Sequence, residues 1–369
     1  MRLKVRLAAL MLALMLALGG SLVSCRETEK SGAVMTLGEH TVDEGYYRFL
    51  YATYKARYLA LYDGARDAAD FWRADHGDGE TNAEWMDSLV RDVIRMLLSA
   101  EAIFDERGLT LDDETHRKNG DYIDDLIYER FDGDGDKFDE ALAALGADRD
   151  SLMRKLDGEA KMTALFDHYF GTNGVRKLTD EDLEEYYAAN YVRFGQINVN
   201  DAYVYVEEDG HYVQNADGSY ATRALTDAER ASKDAVIAEV DSRLAAGEDF
   251  DALYAGFSEN TSYPHGYYFS ADTAADYDAD IVAAAFALAE GEWTKLHTAH
   301  GTFWIKRLPL DEGGFALDET ADFFGGFQTA VKNSLFDRIL KAEYPKIAED
   351  ADKVNALSVT SVAANYDLD

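Results

Sequence analysis

The chain has 369 residues, 36 Lys and Arg against 71 Asp and Glu, a net charge of −35 and 47% hydrophobic residues. That length predicts two domains or three, and the apolar content supports a folded core rather than a disordered chain. The surplus of acid repels phosphate backbones and argues against nucleic acid as a partner, while a single Cys excludes a disulfide framework within the chain and a Cys-rich zinc site.

Arg2, Lys4 and Arg6 precede an apolar run from Leu7 to Leu18, and Gly19-Gly20-Ser21 breaks that run before Leu22-Val23-Ser24-Cys25. A basic start, a short apolar stretch and small residues before the cut describe a signal peptide over 1–24. The run is shorter than the ~20 residues of an ordinary membrane-spanning helix. Leu-Val-Ser-Cys resembles the bacterial lipobox, which implies cleavage before Cys25, lipidation of its thiol and a body held on the extracytoplasmic face of the cell membrane. Two or more acyl chains give stable anchoring, since each buried CH₂ adds about 0.8 kcal/mol. Loss of Arg2, Lys4 and Arg6 with the leader takes the net charge from −35 to −38.

Residues 25–34 are polar and read as a tether. From Val42 the pattern is helical: Tyr47, Leu50, Tyr51, Tyr54, Tyr58 and Leu61 recur at three- and four-residue steps. Further helices carry Trp85 to Phe104 with a stop at Gly108, Tyr122 to Ile127, Phe138 to Leu145, and Leu152 to Phe170 before Gly171-Thr172-Asn173-Gly174. Thr179 caps one more, through Tyr191. The Tyr46–Tyr62 stretch holds more aromatics than one buried stripe requires. It reads either as core or as an amphipathic surface for unfolded segments, because Tyr offers contact area at small entropic cost.

After Phe194 the character changes. Ile197-Asn198-Val199 and Ala202 to Val206 are β-rich, and Glu208-Asp209-Gly210-His211 and Asp217-Gly218 read as hairpin turns. Leu225–Leu244 is an amphipathic helix, Phe250 opens a short one, Ala283–Leu288 ends another, and His300–Leu308 is a closing strand. A last helix from Glu319 carries Phe324, Phe327, Val331, Leu335, Ile339 and Leu340. Leu357-Ser358-Val359-Thr360-Ser361-Val362 alternates as a short strand does. The predicted fold class is α+β: a helical domain over 35–193, completed by 313–369, with an α+β domain over 194–312 inserted in it.

Local phrases carry a resemblance. Leu244-Ala245-Ala246-Gly247-Glu248-Asp249-Phe250 with Phe257-Ser258-Glu259-Asn260, Ala284-Ala285-Phe286-Ala287-Leu288-Ala289-Glu290-Gly291-Glu292, and Leu296-His297-Thr298-Ala299-His300-Gly301 are similar to the parvulin pattern. Leu37 to Tyr47 resembles the opening strand and helix of the PrsA/SurA-type foldases. These are secreted or lipid-anchored parvulin-like peptidyl-prolyl isomerases with a helical chaperone domain. The resemblance implies a foldase for unfolded or partly folded secreted proteins, with no cofactor and no metal. An X–Pro bond prefers trans by only about 0.5–1 kcal/mol but crosses a barrier taking tens of seconds. Catalysis needs an apolar hold on the ring and polar groups for the twisted amide.

In parvulins two histidines, an Asp or Cys, and a Ser or Thr supply those polar groups. Carried over by resemblance, the positions fall at Tyr203, Phe303, Asn260 and Thr298, so both imidazoles are absent; the residues lining the ring fall at Tyr277 and Ile281. Thr298, Tyr203 and Asn260 are thus the catalytic candidates, with Tyr277, Ile281 and Phe303 binding substrate. Client binding with weak or no isomerisation is the leading expectation. An active isomerase is the alternative, and a solute-binding lipoprotein a third, disfavoured because strands are confined to one half of the chain. Asp132-Gly133-Asp134-Gly135-Asp136 fails the EF-hand pattern at Lys137 and Ala143, and Ser258 lacks a His/Asp partner for acyl transfer. His297 and His300 read as a polar loop rather than a metal site.

Overall fold

The computed structural model describes residues 32–365 except 63, 64, 78, 272, 275 and 276. Cys25, the leader and most of the tether lie outside the described residues. The protein is α+β and divides into two compact units: Thr179–Val331 form one, and the described residues up to Leu178 together with those from Lys332 form the other. Among the described residues no helix is long and apolar enough to cross a membrane.

The first unit opens with an antiparallel hairpin, Ala33–Leu37 and His40–Asp43, and the two-residue strand Ala348–Glu349 pairs on its outer side. Gly38 makes the turn at φ +60°, a left-handed conformation that glycine adopts without strain. Asp43 then caps the helix Glu44–Ala60, accepting from the Tyr46 amide at 2.9 Å. This helix is buried on every side: Tyr46, Tyr47, Tyr51, Tyr54 and Tyr58 are each at most 5% exposed. A helix apolar all round lies at the centre of its domain. The tyrosines are therefore core, and the reading of them as an open client surface is overturned. Around them pack Asn82–Glu106, opened by a Thr81/Glu84 capping box, and Arg149–Phe170.

Within the stretch expected to be all helical, a small ribbon pairs Asp75–Gly77 with Glu80–Thr81. The acidic run at Asp132 is a helix-to-helix turn. Asp132 is left-handed at φ 53°, and Asp134 caps the helix Gly135–Ala144. At the carboxy end the expected strand over Leu357–Val362 is absent. Leu357, Val359 and Val362 are buried, but Ser361 Oγ donates to the Ala356 carbonyl at 2.7 Å and accepts from the Ser358 amide at 2.8 Å, closing turns instead.

The second unit begins with the helix Asp180–Asn190, capped by Thr179. A four-stranded antiparallel sheet follows, in the spatial order Tyr267–Ser270, Tyr191–Val199, Gly301–Leu308, Trp293–Thr298. Alternation sends Val192, Phe194, Tyr267, Phe269, Phe303 and Ile305 to one face, against Ile281, Val282 and Ala285 of the helix Ala279–Ala287. Ile197, Val199 and Trp304 face the other way, against Val240 and Leu244 of Asp227–Ala245 and Phe250 and Leu253 of Phe250–Phe257. Gly266 admits the chain to its edge strand at φ +88°, where a Cβ would lie 2.8 Å from the Phe194 carbonyl oxygen. The chain leaves this unit within the helix Phe327–Lys341.

Candidate functional site

The face of the sheet that carries Phe303 also carries an embedded polar network. Gln196, only 3% exposed, sits opposite Ile305 on the neighbouring strand. Its amide is held at both ends: Nε2 donates to the Tyr267 hydroxyl at 2.9 Å, and Oε1 accepts from the Tyr277 hydroxyl at 2.9 Å. Asn260 Nδ2 donates to the same Tyr267 oxygen at 3.3 Å. The Asn260 amide donates to Asn198 Oδ1 at 2.7 Å, and Ser258 Oγ donates to the Asn260 carbonyl at 2.8 Å. Burial, before any neighbour, raises the pKa of both Tyr267 and Tyr277. Both phenols therefore stay protonated at neutral pH, and the network is one of neutral amides and hydroxyls.

Rings close over it. Phe269 and Tyr277 have centroids 5.0 Å apart, Tyr267 and Tyr277 5.5 Å, and Tyr263 and Tyr267 4.9 Å. Ile281 and Phe303 are buried in this cluster, at 1% and 6% exposure, and leave Tyr263, Tyr277 and Leu296 half-buried around it. Chemically the arrangement offers hydrogen bonds and apolar contact. It offers no group that titrates near neutrality for proton transfer.

At the end of the sheet the hairpin Trp293–Thr298/Gly301–Leu308 turns through His300. The His300 amide donates to Thr298 Oγ1 at 3.0 Å, and the His300 ring lies 6.5 Å from Tyr203, edge to face. The Tyr203 hydroxyl is 3.4 Å from that of Tyr205, and this hydrogen bond, ahead of burial, pushes its pKa up to about 12. Asp201 ties this end together, with Thr302 Oγ1 at 3.1 Å and His297 Nε2 at 3.4 Å. A concavity of about 390 Å³ in the first unit, lined in part by Tyr47, Asp87, Arg91 and Arg95, is a weaker candidate, since Glu349 already pairs with both arginines.

No family model matches the chain, and no curated protein matches it. Among solved structures it is similar to PrsA from Bacillus subtilis, at 18% identity over 79% of this chain and 90% of that one, with a TM-score of 0.24. A peptidylprolyl isomerase (PrsA) from Bacillus anthracis matches at 14% identity over 69% and 96%, with a TM-score of 0.25. The foldase protein PrsA from Streptococcus pneumoniae matches at 13% over 93% and 100%, with a TM-score of 0.22.

The residues singled out in the sequence fall into two groups. Asn260, Tyr277, Ile281 and Phe303 meet around Gln196. Thr298 and Tyr203 meet at His300, and Tyr203 stands outside the sheet, beyond the end of Tyr191–Val199. The inward polar residue on the strand beside Phe303's is therefore Gln196, with Asn198 directly opposite Phe303. Neither Gln196 nor Tyr267 is among the residues that the sequence singles out. The signal was present in the alternation Val192, Phe194, Gln196, Asn198, which places an amide where a core residue belongs. Cys25 lies outside the described residues.

Proposed function

We propose that this chain is a lipid-anchored, extracytoplasmic foldase-like chaperone that binds unfolded segments of secreted proteins and isomerises prolyl bonds weakly or not at all. The lipobox-like Leu22-Val23-Ser24-Cys25 supports the anchor, and the parvulin-like phrases around Phe250, Phe286 and Thr298 support the client class. One observation carries the loss of catalysis. The polar groups beneath the Phe303 face are neutral and satisfied by one another, and Phe303 and Ile281 are packed into the core. A twisted amide gains stabilisation from donors aimed at it, and donors already engaged inside the fold contribute little.

The test uses purified protein with an unfolded client and, separately, a refolding reaction limited by proline isomerisation, which takes about 10–100 s uncatalysed. The expected result is delayed aggregation near stoichiometric protein and acceleration of refolding by less than about twofold, unaltered in Thr298→Ala. Absence of both delay and crosslinking removes the chaperone. Acceleration of about a hundredfold, lost in Thr298→Ala, establishes the isomerase instead.

A further inference from the structure

The excursion between the strand Tyr191–Val199 and the helix Asp227–Ala245 is a small ribbon of its own. Val204 and Tyr205 pair with Arg223 and Thr222, and Glu207 and Glu208 pair with Tyr212 and His211. Asp209 and Gly210, at φ 51° and 80°, form the tight turn between the second pair. The Val206 amide donates to the Ala221 carbonyl at 2.8 Å and the Val213 amide to the Val206 carbonyl at 2.9 Å, which joins the layers.

This ribbon exposes a ladder of rings. Tyr205, Tyr212 and Tyr220 are 40%, 58% and 49% exposed, yet their centroids lie only 5.6–6.0 Å apart. Tyr203 extends the ladder, 5.4 Å from Tyr205, toward His300 and Thr298. Exposed Tyr clustered ring to ring, rather than scattered, marks a contact surface. The charge beside it has one sign. Glu207 lies opposite Tyr212 and two residues beyond Tyr205, so it shares their face. Glu208, Asp209 and Asp217 are exposed on the same ribbon. Its one cationic side chain, Arg223, is held by both Glu229 oxygens at 2.8 and 2.9 Å.

We infer that the Tyr203–Tyr205–Tyr212–Tyr220 ladder with Glu207 is a docking surface for extended polypeptide segments bearing Lys or Arg. The aliphatic stem and charged head of such a side chain lie over a phenol face while the carboxylate neutralises the charge. The inference rests on the client-binding reading and names the class of segment that this surface takes.

The test measures anisotropy of two labelled, unstructured Gly/Ser peptides, one carrying five Lys and one five Glu, on the purified protein. The Lys peptide is expected to bind at least about tenfold tighter than the Glu peptide, and less tightly as salt screens the carboxylates. Tyr205→Ser/Tyr212→Ser/Tyr220→Ser should weaken it about tenfold or more, and Glu207→Gln, which leaves the rings in place, about threefold. Unchanged binding in both variants, equal binding of the Glu peptide, or competition by a neutral oligosaccharide at the same tyrosines overturns the assignment. Delayed aggregation of a neutral client without Lys-peptide binding defeats the ladder alone. Tyr-dependent Lys-peptide binding without any delay supports the ladder and defeats the chaperone reading.

Discussion

Replacing Lys55 by Ala is expected to lower the unfolding free energy of the first unit by about 3–5 kcal/mol and to free the carboxy-terminal segment for proteolysis. Lys55 is 1% exposed on the central helix. Its ammonium donates to the carbonyls of Val359 and Val362, each at 2.7 Å, and pairs with Asp67 at 2.6 Å, over the Trp72 ring. Burial lowers its pKa, opposed by Asp67. Burial alone would raise the Asp67 carboxyl, but hydrogen bonds from Lys55, Trp72 and the Ala364 amide outweigh it and hold the group below its ordinary value. Removing the cation takes the counter-charge from Asp67, which keeps only the Trp72 and Ala364 donors, and frees two carbonyls, so that Val359, Val362 and Leu357 lose their anchor. The sign in pH follows. A depressed carboxyl contributes stability that is complete above about pH 4 and is lost as pH falls through the lowered value. The variant should therefore show a flatter acid limb as well as a lower midpoint. Urea unfolding at two pH values and mass analysis of proteolytic fragments read both effects, and a variant within about 1 kcal/mol of the parent sinks the argument.

The same contacts explain what could be read in the sequence and what could not. Helices were legible because their signals are local. Gly108 and Gly171-Thr172-Asn173-Gly174 stop periodic apolar runs, and Thr179 caps the next one. Leu357–Val362 misled because its alternation is also local, while the competitor is Lys55, some 300 positions away in the chain. The crowd of tyrosines from Tyr46 to Tyr58 was ambiguous for a related reason: composition states how much apolar surface a helix has, not how many neighbours surround it. In the second unit the strand around Ile197 was visible, but its start at Tyr191 was hidden by a helical pattern that runs up to that residue. The sequence pattern places Tyr203 on a strand of the site because Tyr203–Val206 is as β-rich as Tyr191–Val199. Only the pairing of Gly301–Leu308 with Tyr191–Val199 reveals which of the two segments lies beside Phe303.

Gln196→Leu is expected to cost about 2–4 kcal/mol, more than its loss of two neutral hydrogen bonds suggests. The substitution takes the Gln196 Oε1 acceptor from the Tyr277 hydroxyl and the Gln196 Nε2 donor from the Tyr267 oxygen, and leaves the Tyr277 hydroxyl only its contact with that of Tyr267. Deleting one partner of a buried pair leaves the other unsatisfied, whereas deleting both approaches neutrality. Tyr277→Phe alone should cost about 1–2 kcal/mol by freeing Gln196 Oε1. In the double variant Gln196→Leu/Tyr277→Phe the two penalties should overlap, so that the cycle closes with a coupling of about 1 kcal/mol or more. Additivity within about 0.3 kcal/mol in urea unfolding would show that the network is not the unit described. The cycle also separates structure from chemistry. If these groups only hold Asn260 and the Tyr263 ring in place, any rate of proline-limited refolding follows the fraction folded. A catalytic role for the Tyr277 hydroxyl would instead lower that rate in Tyr277→Phe under conditions where the variant remains fully folded.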